Sequence, residues 1–221
     1  MEERLEPRIM LRPIGSALPL GFFSFGLGMF MLAGEGIGWI RLREIHDGGL
    51  ILVTFVAPLE FLATVIAFLA RDSIGAATLG LFTGSWFSTG WGLLLGQPGE
   101  RSRAFGMLVL CFGAVIALLA VMAWQGKPFF TFLLAGSLSR MVVYGAWEFG
   151  APHAWLKVAG WIAFALGVVA FYGGIALGME DAQQREVLPT FRRGGAKEAI
   201  EGELGAQLAG LANEPGVRHQ L

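Results

Sequence analysis

Two ionisable residues lie deep inside long apolar stretches of this chain, and they are its clearest candidates for chemistry. Glu60 falls ten residues into one stretch, just after Pro58, and Arg140 lies seven residues before Trp147 in another. A charge at the centre of a bilayer costs about 2.5–3.5 kcal/mol on insertion scales. Two interpretations follow. The two side chains form a buried ion pair, or Arg140 attracts an anion while Glu60 determines how available the Arg140 charge is.

A run of hydroxyl and aromatic side chains forms a second candidate site. Ser85, Ser88 and Thr89 share one helical face, close to Thr83 and Trp86. Such a stripe suits a narrow path that donates hydrogen bonds to a small solute. The alternative is that each hydroxyl bonds back to a carbonyl of its own helix. The same pattern recurs before Arg140, at Ser137 and Ser139.

Six apolar stretches of membrane-spanning length must position these residues. A helix rises about 1.5 Å per residue, so about 20 residues cross a hydrocarbon core about 30 Å thick. The sequence predicts an all-α membrane protein, a bundle of six transmembrane helices with these spans: Ala17–Leu32, Leu50–Leu69, Ile74–Leu95, Phe105–Trp124, Phe129–Trp147 and Val158–Met179. Residues 1–16 and 180–221 would form tails around a core of residues 17–179.

Lys and Arg are distributed unevenly between the two sides of this bundle. Nine lie in segments on the side of the N-terminus and five in the opposite loops. We expect the protein to lie in the inner membrane. The positive-inside rule then places both termini in the cytoplasm. Ile200, Leu204, Leu208 and Leu211 recur at helical spacing, so the second tail is either a short amphipathic helix or unstructured.

Composition excludes several classes of function. Charged residues make up 15% of the chain and mean hydropathy is +0.62, which favours a membrane protein over a soluble one. A net charge of −1 argues against nucleic acid as a partner. The three histidines lie far apart, and no nucleophile–base pair falls at membrane depth, so neither a metal site, a cofactor nor an enzymatic activity is expected.

Glycine is abundant, with 33 residues, many of them inside the predicted spans. Gly160, Gly167 and Gly174 lie seven apart, on one face of the last helix. Small residues let helix backbones approach closely in lipid. Two interpretations stay open: these faces only pack the bundle, or they also build a pore wall or the interface of a ring of subunits.

Several motifs resemble the acetate uptake transporter family of succinate–acetate permeases. The segment from Pro19 to Gly26 is similar to the first-helix signature P-L-G-x-x-x-F-G, although Ser16 and Ala17 replace its preceding Asn-Pro. Further similarities, in family order over about residues 16–190, are Phe82-Thr83, Ala159-Gly160-Trp161-Ile162 and Arg185-Glu186-Val187-Leu188-Pro189.

This resemblance implies a channel or proton-linked transporter for small monocarboxylates such as acetate, or for succinate. It also implies hexamers in which each subunit has its own path. The family's apolar constriction would fall on Phe25, Leu138 and Ser85, or on Trp86 instead of Ser85, since the family tyrosine is absent here. Two other functions remain open: a channel for small neutral solutes, and a membrane subunit that transports nothing itself.

Overall fold

A computed structural model describes residues 14–183, 185–194 and 197. It has six long helices: α1 (Leu18–Ile37), α2 (Leu42–Leu69), α3 (Ser73–Leu95), α4 (Arg103–Ala123), α5 (Pro128–Glu148) and α6 (Ala154–Gln183). All except α3 are long and apolar enough to cross a membrane by length and composition. Helix α3 has the length, but its glycine, serine and threonine lower its hydropathy. The predicted all-α bundle of six helices is confirmed.

Each helix packs against the next along the chain, and α6 returns to pack extensively on α1. The described part of the chain is therefore a ring of six antiparallel neighbours, in which α1 also touches α3. The contact between α3 and α4 is the sparsest of the sequential ones. One large apolar cluster fills the interior, including Phe25, Phe82, Trp86, Ile116 and Leu134.

Capping and proline positions explain where several helices begin. The carboxylate of Asp72 accepts a hydrogen bond from the Gly75 backbone N–H at the start of α3, and Ser102 accepts one from Phe105 at the start of α4. Pro19 and Pro128 occupy the first turns of α1 and α5, where a missing N–H costs little.

Helix α2 differs most from its predicted extent. It begins at Leu42 rather than at Leu50, with one 3₁₀ turn, and it contains a π-helical stretch, Leu52–Val56. This stretch ends two residues before Pro58, whose ring cannot supply the usual backbone hydrogen bond. The wider π turn absorbs that defect, so the helix continues through Pro58 to Glu60.

The segment after α6 folds back onto the end of the bundle where α1 begins, called here the N-terminal face. Arg192 binds the carboxylate of Glu180 through two nitrogens, at 2.5 and 3.1 Å, and the Tyr172 hydroxyl donates to the Pro189 carbonyl. Lys127 and Asp72 form an ion pair of 2.6 Å at the same face. The predicted amphipathic helix near Ile200–Leu211 lies outside the described residues.

The glycines of α6 pack inside the protomer. A Cβ at Gly160 would lie 2.9 Å from the backbone of Gly36, one at Gly167 would lie 3.3 Å from the Gly26 carbonyl, and Gly174 contacts Phe23. All three contacts are with α1. The interpretation of these glycines as a subunit interface is therefore wrong: they hold α6 against α1, because a backbone this close leaves no room for a side chain.

We predict that Gly160→Ala destabilises the bundle by about 1–3 kcal/mol, the usual cost of overpacking. The added methyl would force the α1 and α6 backbones apart at Gly36. Thermal unfolding in mild detergent measures the effect. Gly178→Ala on the same helix is the control, since a Cβ there would lie 3.9 Å from its nearest neighbour, Pro19, which is an ordinary contact. Equal midpoints for the two variants would contradict the close contact.

Candidate functional site

Three aromatic rings from α1 and α3 close the centre of the bundle. The Phe25 ring meets Phe82 edge-on at a centroid distance of 4.9 Å and Trp86 at 5.9 Å, and Phe82 stacks on Trp86 at 6.2 Å. Each of the three side chains is at most 2% exposed. We call these three residues the aromatic constriction. Phe112 of α4 adds a fourth ring, 5.1 Å from Phe82.

The sequence explains why these rings face inward together. Phe82 and Trp86 are four residues apart on α3, so they lie on one helical face. Gly28 on α1 leaves the space that the indole fills, since a Cβ there would lie 2.8–3.0 Å from its six-membered ring. Of the two predicted alternatives, Trp86 is the residue buried beside Phe25, whereas Ser85 is only half-buried.

Two small pockets lie near opposite ends of α1, and Phe25 lies between them along the helix. At the N-terminal face, Leu18 and Phe22 line one pocket together with Lys127, Thr190 and Arg192. At the opposite face, Met31, Leu32 and Glu35 line another. Both pockets are small and lined mostly by apolar side chains, and no residue of the aromatic constriction lines either of them.

The predicted Glu60–Arg140 ion pair is wrong. Among the described residues, no salt bridge includes either side chain. The physical reason is the arrangement of the helices: α2 packs on α1 and α3, whereas α5 packs on α4 and α6. The two charges therefore face different neighbours within the bundle.

Glu60 is fully buried and contacts the aromatic constriction directly. Its Oε2 accepts a hydrogen bond from the indole N–H of Trp86. Its other oxygen, Oε1, has no hydrogen-bond partner in the described part of the chain. Helix α3 contains no charged residue, and Glu35 is the only one in α1, so those two helices offer Glu60 no cation.

Arg140 is 8% exposed and makes no salt bridge within residues 14–183 and 185–194. Its guanidinium carbon lies 5.2 Å from the centre of the Tyr144 ring, and its Nε has no hydrogen-bond partner there. Glu35 of α1 interacts with it electrostatically from a greater distance. A buried guanidinium with an unused N–H can bind an anion.

The hydroxyl stripe divides between two outcomes. The buried hydroxyls of Thr83 and Ser137 donate to the carbonyls of Leu79 and Leu133 in their own helices, which was the simpler of the two interpretations. Ser88 is exposed on the outside of α3, so it does not line the interior. Pro19 and Leu138 are half-buried, and Leu138 packs against Gly113 of α4, in the cluster that also holds Phe25.

Sequence reasoning did not select Phe82, Phe112 and Gly28 as site residues. The four-residue spacing of Phe82 and Trp86 was available as a signal, but an aromatic pair at that spacing equally fits ordinary packing. The role of Gly28 depends on which face of α1 meets α3, which no local pattern reveals. In the described residues, no group of three or more His, Cys, Asp or Glu side chains could hold a metal ion.

The fold is that of an all-helical, multi-pass membrane protein. A solved structure described as the bacterial acetate channel SatP has the same fold, with a TM-score of 0.72. The match covers 80% of this chain and 99% of SatP at 17% sequence identity. No family model matches the chain, and no curated protein matches it by sequence. The fold implied by the sequence resemblance is confirmed.

Proposed function

We propose that this protein is a membrane channel or proton-linked transporter for small monocarboxylates such as acetate. The observation that carries the proposal is the aromatic constriction, which lies along α1 between two small pockets near its opposite ends. The fold shared with an acetate channel supports it. Acetate is the first substrate to test, and succinate tests whether a larger dicarboxylate passes.

An apolar constriction selects strongly among the forms of a carboxylic acid. Rings that cannot hydrogen-bond strip water from a permeant molecule, and the cost is far larger for an ion than for a neutral group. Passage through Phe25, Phe82 and Trp86 therefore favours the undissociated acid. A proton would accompany each carboxylate, so a pH gradient would drive net uptake.

We predict that Phe25→Ala raises the flux of acetate and loosens selection by size, because it removes one wall of the constriction. Proteoliposomes with labelled acetate or butyrate, with and without a pH gradient, measure both effects. Phe23→Ala is the matched control: it lies on the same helix, faces Phe171 of α6 and is 37% exposed. Wild-type flux and selection in Phe25→Ala would contradict the proposed path.

Replacing Arg140 tests whether the protein recognises an anion or a neutral solute. Losing a hydrogen bond to a charged group costs about 1.5–3 kcal/mol, which is about tenfold or more in binding. We therefore predict that Arg140→Gln reduces acetate uptake by about that factor. Folded yield should stay near wild type, since Arg140 makes no salt bridge in the described part of the chain and interacts with Glu35 only from beyond salt-bridge distance.

Arg101→Gln is the control for this variant, because Arg101 carries the same charge and lies over the Trp147 ring, 5.0 Å from its centre. Uptake should fall in Arg140→Gln only. If acetate uptake is unchanged in both variants while acetamide passes, the channel recognises neutral solutes instead. If the wild-type protein transports neither solute, the result supports the alternative that it is a membrane subunit without transport activity of its own.

The remaining parts of the proposal concern location and assembly. The protein would lie in the inner membrane with both tails in the cytoplasm, and subunits would form a closed ring, hexameric by family resemblance. The glycines of α6 are used within the protomer, so the interface must lie elsewhere. Small residues exposed on the outside of α3, Gly84, Ser88 and Gly92, would let another helix approach closely.

We predict that chemical cross-linking in mild detergent produces a ladder of bands ending at a closed oligomer. Gly84→Leu should shorten that ladder, because a bulky side chain would hold a neighbouring helix away. Leu118→Phe on α4, where Leu118 is 67% exposed, is the control for adding apolar bulk to the outer surface. Monomers alone at all protein concentrations would contradict the ring.

A further inference from the structure

The indole of Trp86 is fixed from two sides, by α1 and by α2. On the α1 side, Gly28 provides a notch that the six-membered ring fills. On the α2 side, the carboxylate of Glu60 accepts the indole hydrogen bond. Because Phe25 and Phe82 both pack on this indole, its orientation decides whether the aromatic constriction is closed.

The two restraints differ in kind. The notch at Gly28 is a space, which admits the ring but does not hold it. The hydrogen bond from Trp86 to Glu60 is directional and links α3 to α2 across the interior. No other hydrogen bond of the Glu60 carboxylate is present within the described residues, where Oε1 has no partner. This one bond therefore restrains the rotation of the indole.

A carboxylate is an unusual choice for a restraint at this depth. Placing it there is costly, and an apolar residue would pack against Trp86 without that cost. An indole N–H can only donate, so a buried tryptophan requires a hydrogen-bond acceptor. The cost of burying the Glu60 carboxylate is explained if its hydrogen bond to Trp86 is needed. Neither α1 nor α3 supplies a side-chain acceptor to Trp86 among the hydrogen bonds of the described chain.

We propose that Glu60 is a positioning residue for the path, and that its hydrogen bond to Trp86 is the latch that holds the aromatic constriction closed against larger acids. This inference rests on the proposed function for its substrate class. Breaking the latch lets the indole leave its position between Phe25 and Glu60. Selection by size then falls, while the helical bundle stays intact.

The test is a comparison of butyrate uptake with acetate uptake in proteoliposomes. Glu60→Leu removes the acceptor, and Glu60→Gln keeps a carbonyl oxygen that can accept the indole N–H. We expect the butyrate-to-acetate ratio to rise about three- to tenfold in Glu60→Leu, the change that the loss of one typical intramolecular hydrogen bond gives. The ratio should stay at the wild-type value in Glu60→Gln.

Trp86→Phe removes the donor and should raise the ratio as well. The double variant Glu60→Leu with Trp86→Phe should match Trp86→Phe alone, because both changes break the same bond. Trp161→Phe is the matched control for losing an indole, since Trp161 is exposed on the outside of α6 beside Trp39. Additive effects, or an equal change in Trp161→Phe, would overturn the proposal.

A second measurement tests the latch without transport. With ¹⁵N-labelled tryptophan, the indole N–H signal that disappears in Trp86→Phe belongs to Trp86. Glu60→Leu should shift this signal and speed its exchange with water, and Glu60→Gln should leave it nearly unchanged. An unshifted signal in Glu60→Leu overturns the latch. If this shift occurs but wild-type protein transports no monocarboxylate, the latch stands and the proposed function fails.

Discussion

The close contact of α1 with α6 is the constraint on which the rest of the bundle depends. At Gly36 and Gly160 the two backbones approach so closely that neither position has room for a Cβ. In lipid, apolar side chains gain little by leaving the bilayer for protein, so van der Waals contact must hold the helices together. This contact joins the first helix to the last and closes the ring of six.

Closure of the ring determines which face of α1 points inward. Gly26, Gly36 and Phe23 contact α6, and the adjoining face of α1 buries Phe25 and Met29 in the interior. Along the helix, Phe25 lies between the two pockets. The candidate path is thus a consequence of helix packing, and its narrowest part forms where Gly28 allows α3 to bring Trp86 against α1.

The sequence predicted the helices well because each one is long and apolar, and span length is a strong signal. Boundaries were less accurate where the signal weakens. Helix α1 was predicted to end at Leu32, yet it continues to Ile37. Its last turn is held by Gly36, which contacts α6, and by Gly34, which contacts Ile40. Helix α2 begins eight residues before its predicted start, since the polar His46 and Asp47 hid its first turns.

Contacts between helices could not be predicted from local pattern, and the two buried charges show why. Depth along each helix placed Glu60 and Arg140 at similar levels, and similar depth made a pair plausible. Pairing also requires α2 and α5 to be neighbours. Whether they are neighbours depends on the order of helices around the ring, which the sequence of neither helix reveals. The carboxylate therefore meets an indole donor on α3, and the guanidinium lies over Tyr144.

The separation of these two charges gives each a different physical role. An ion pair would have cancelled both fields and left only a structural link between helices. Apart, Glu60 orients a ring of the aromatic constriction, while Arg140 keeps a field and an unused N–H in the interior. In the proposed path, one charge would act on the width of the constriction and the other on the solute that approaches it. Selection by size and attraction of anions would then vary independently, because different residues on different helices would control them.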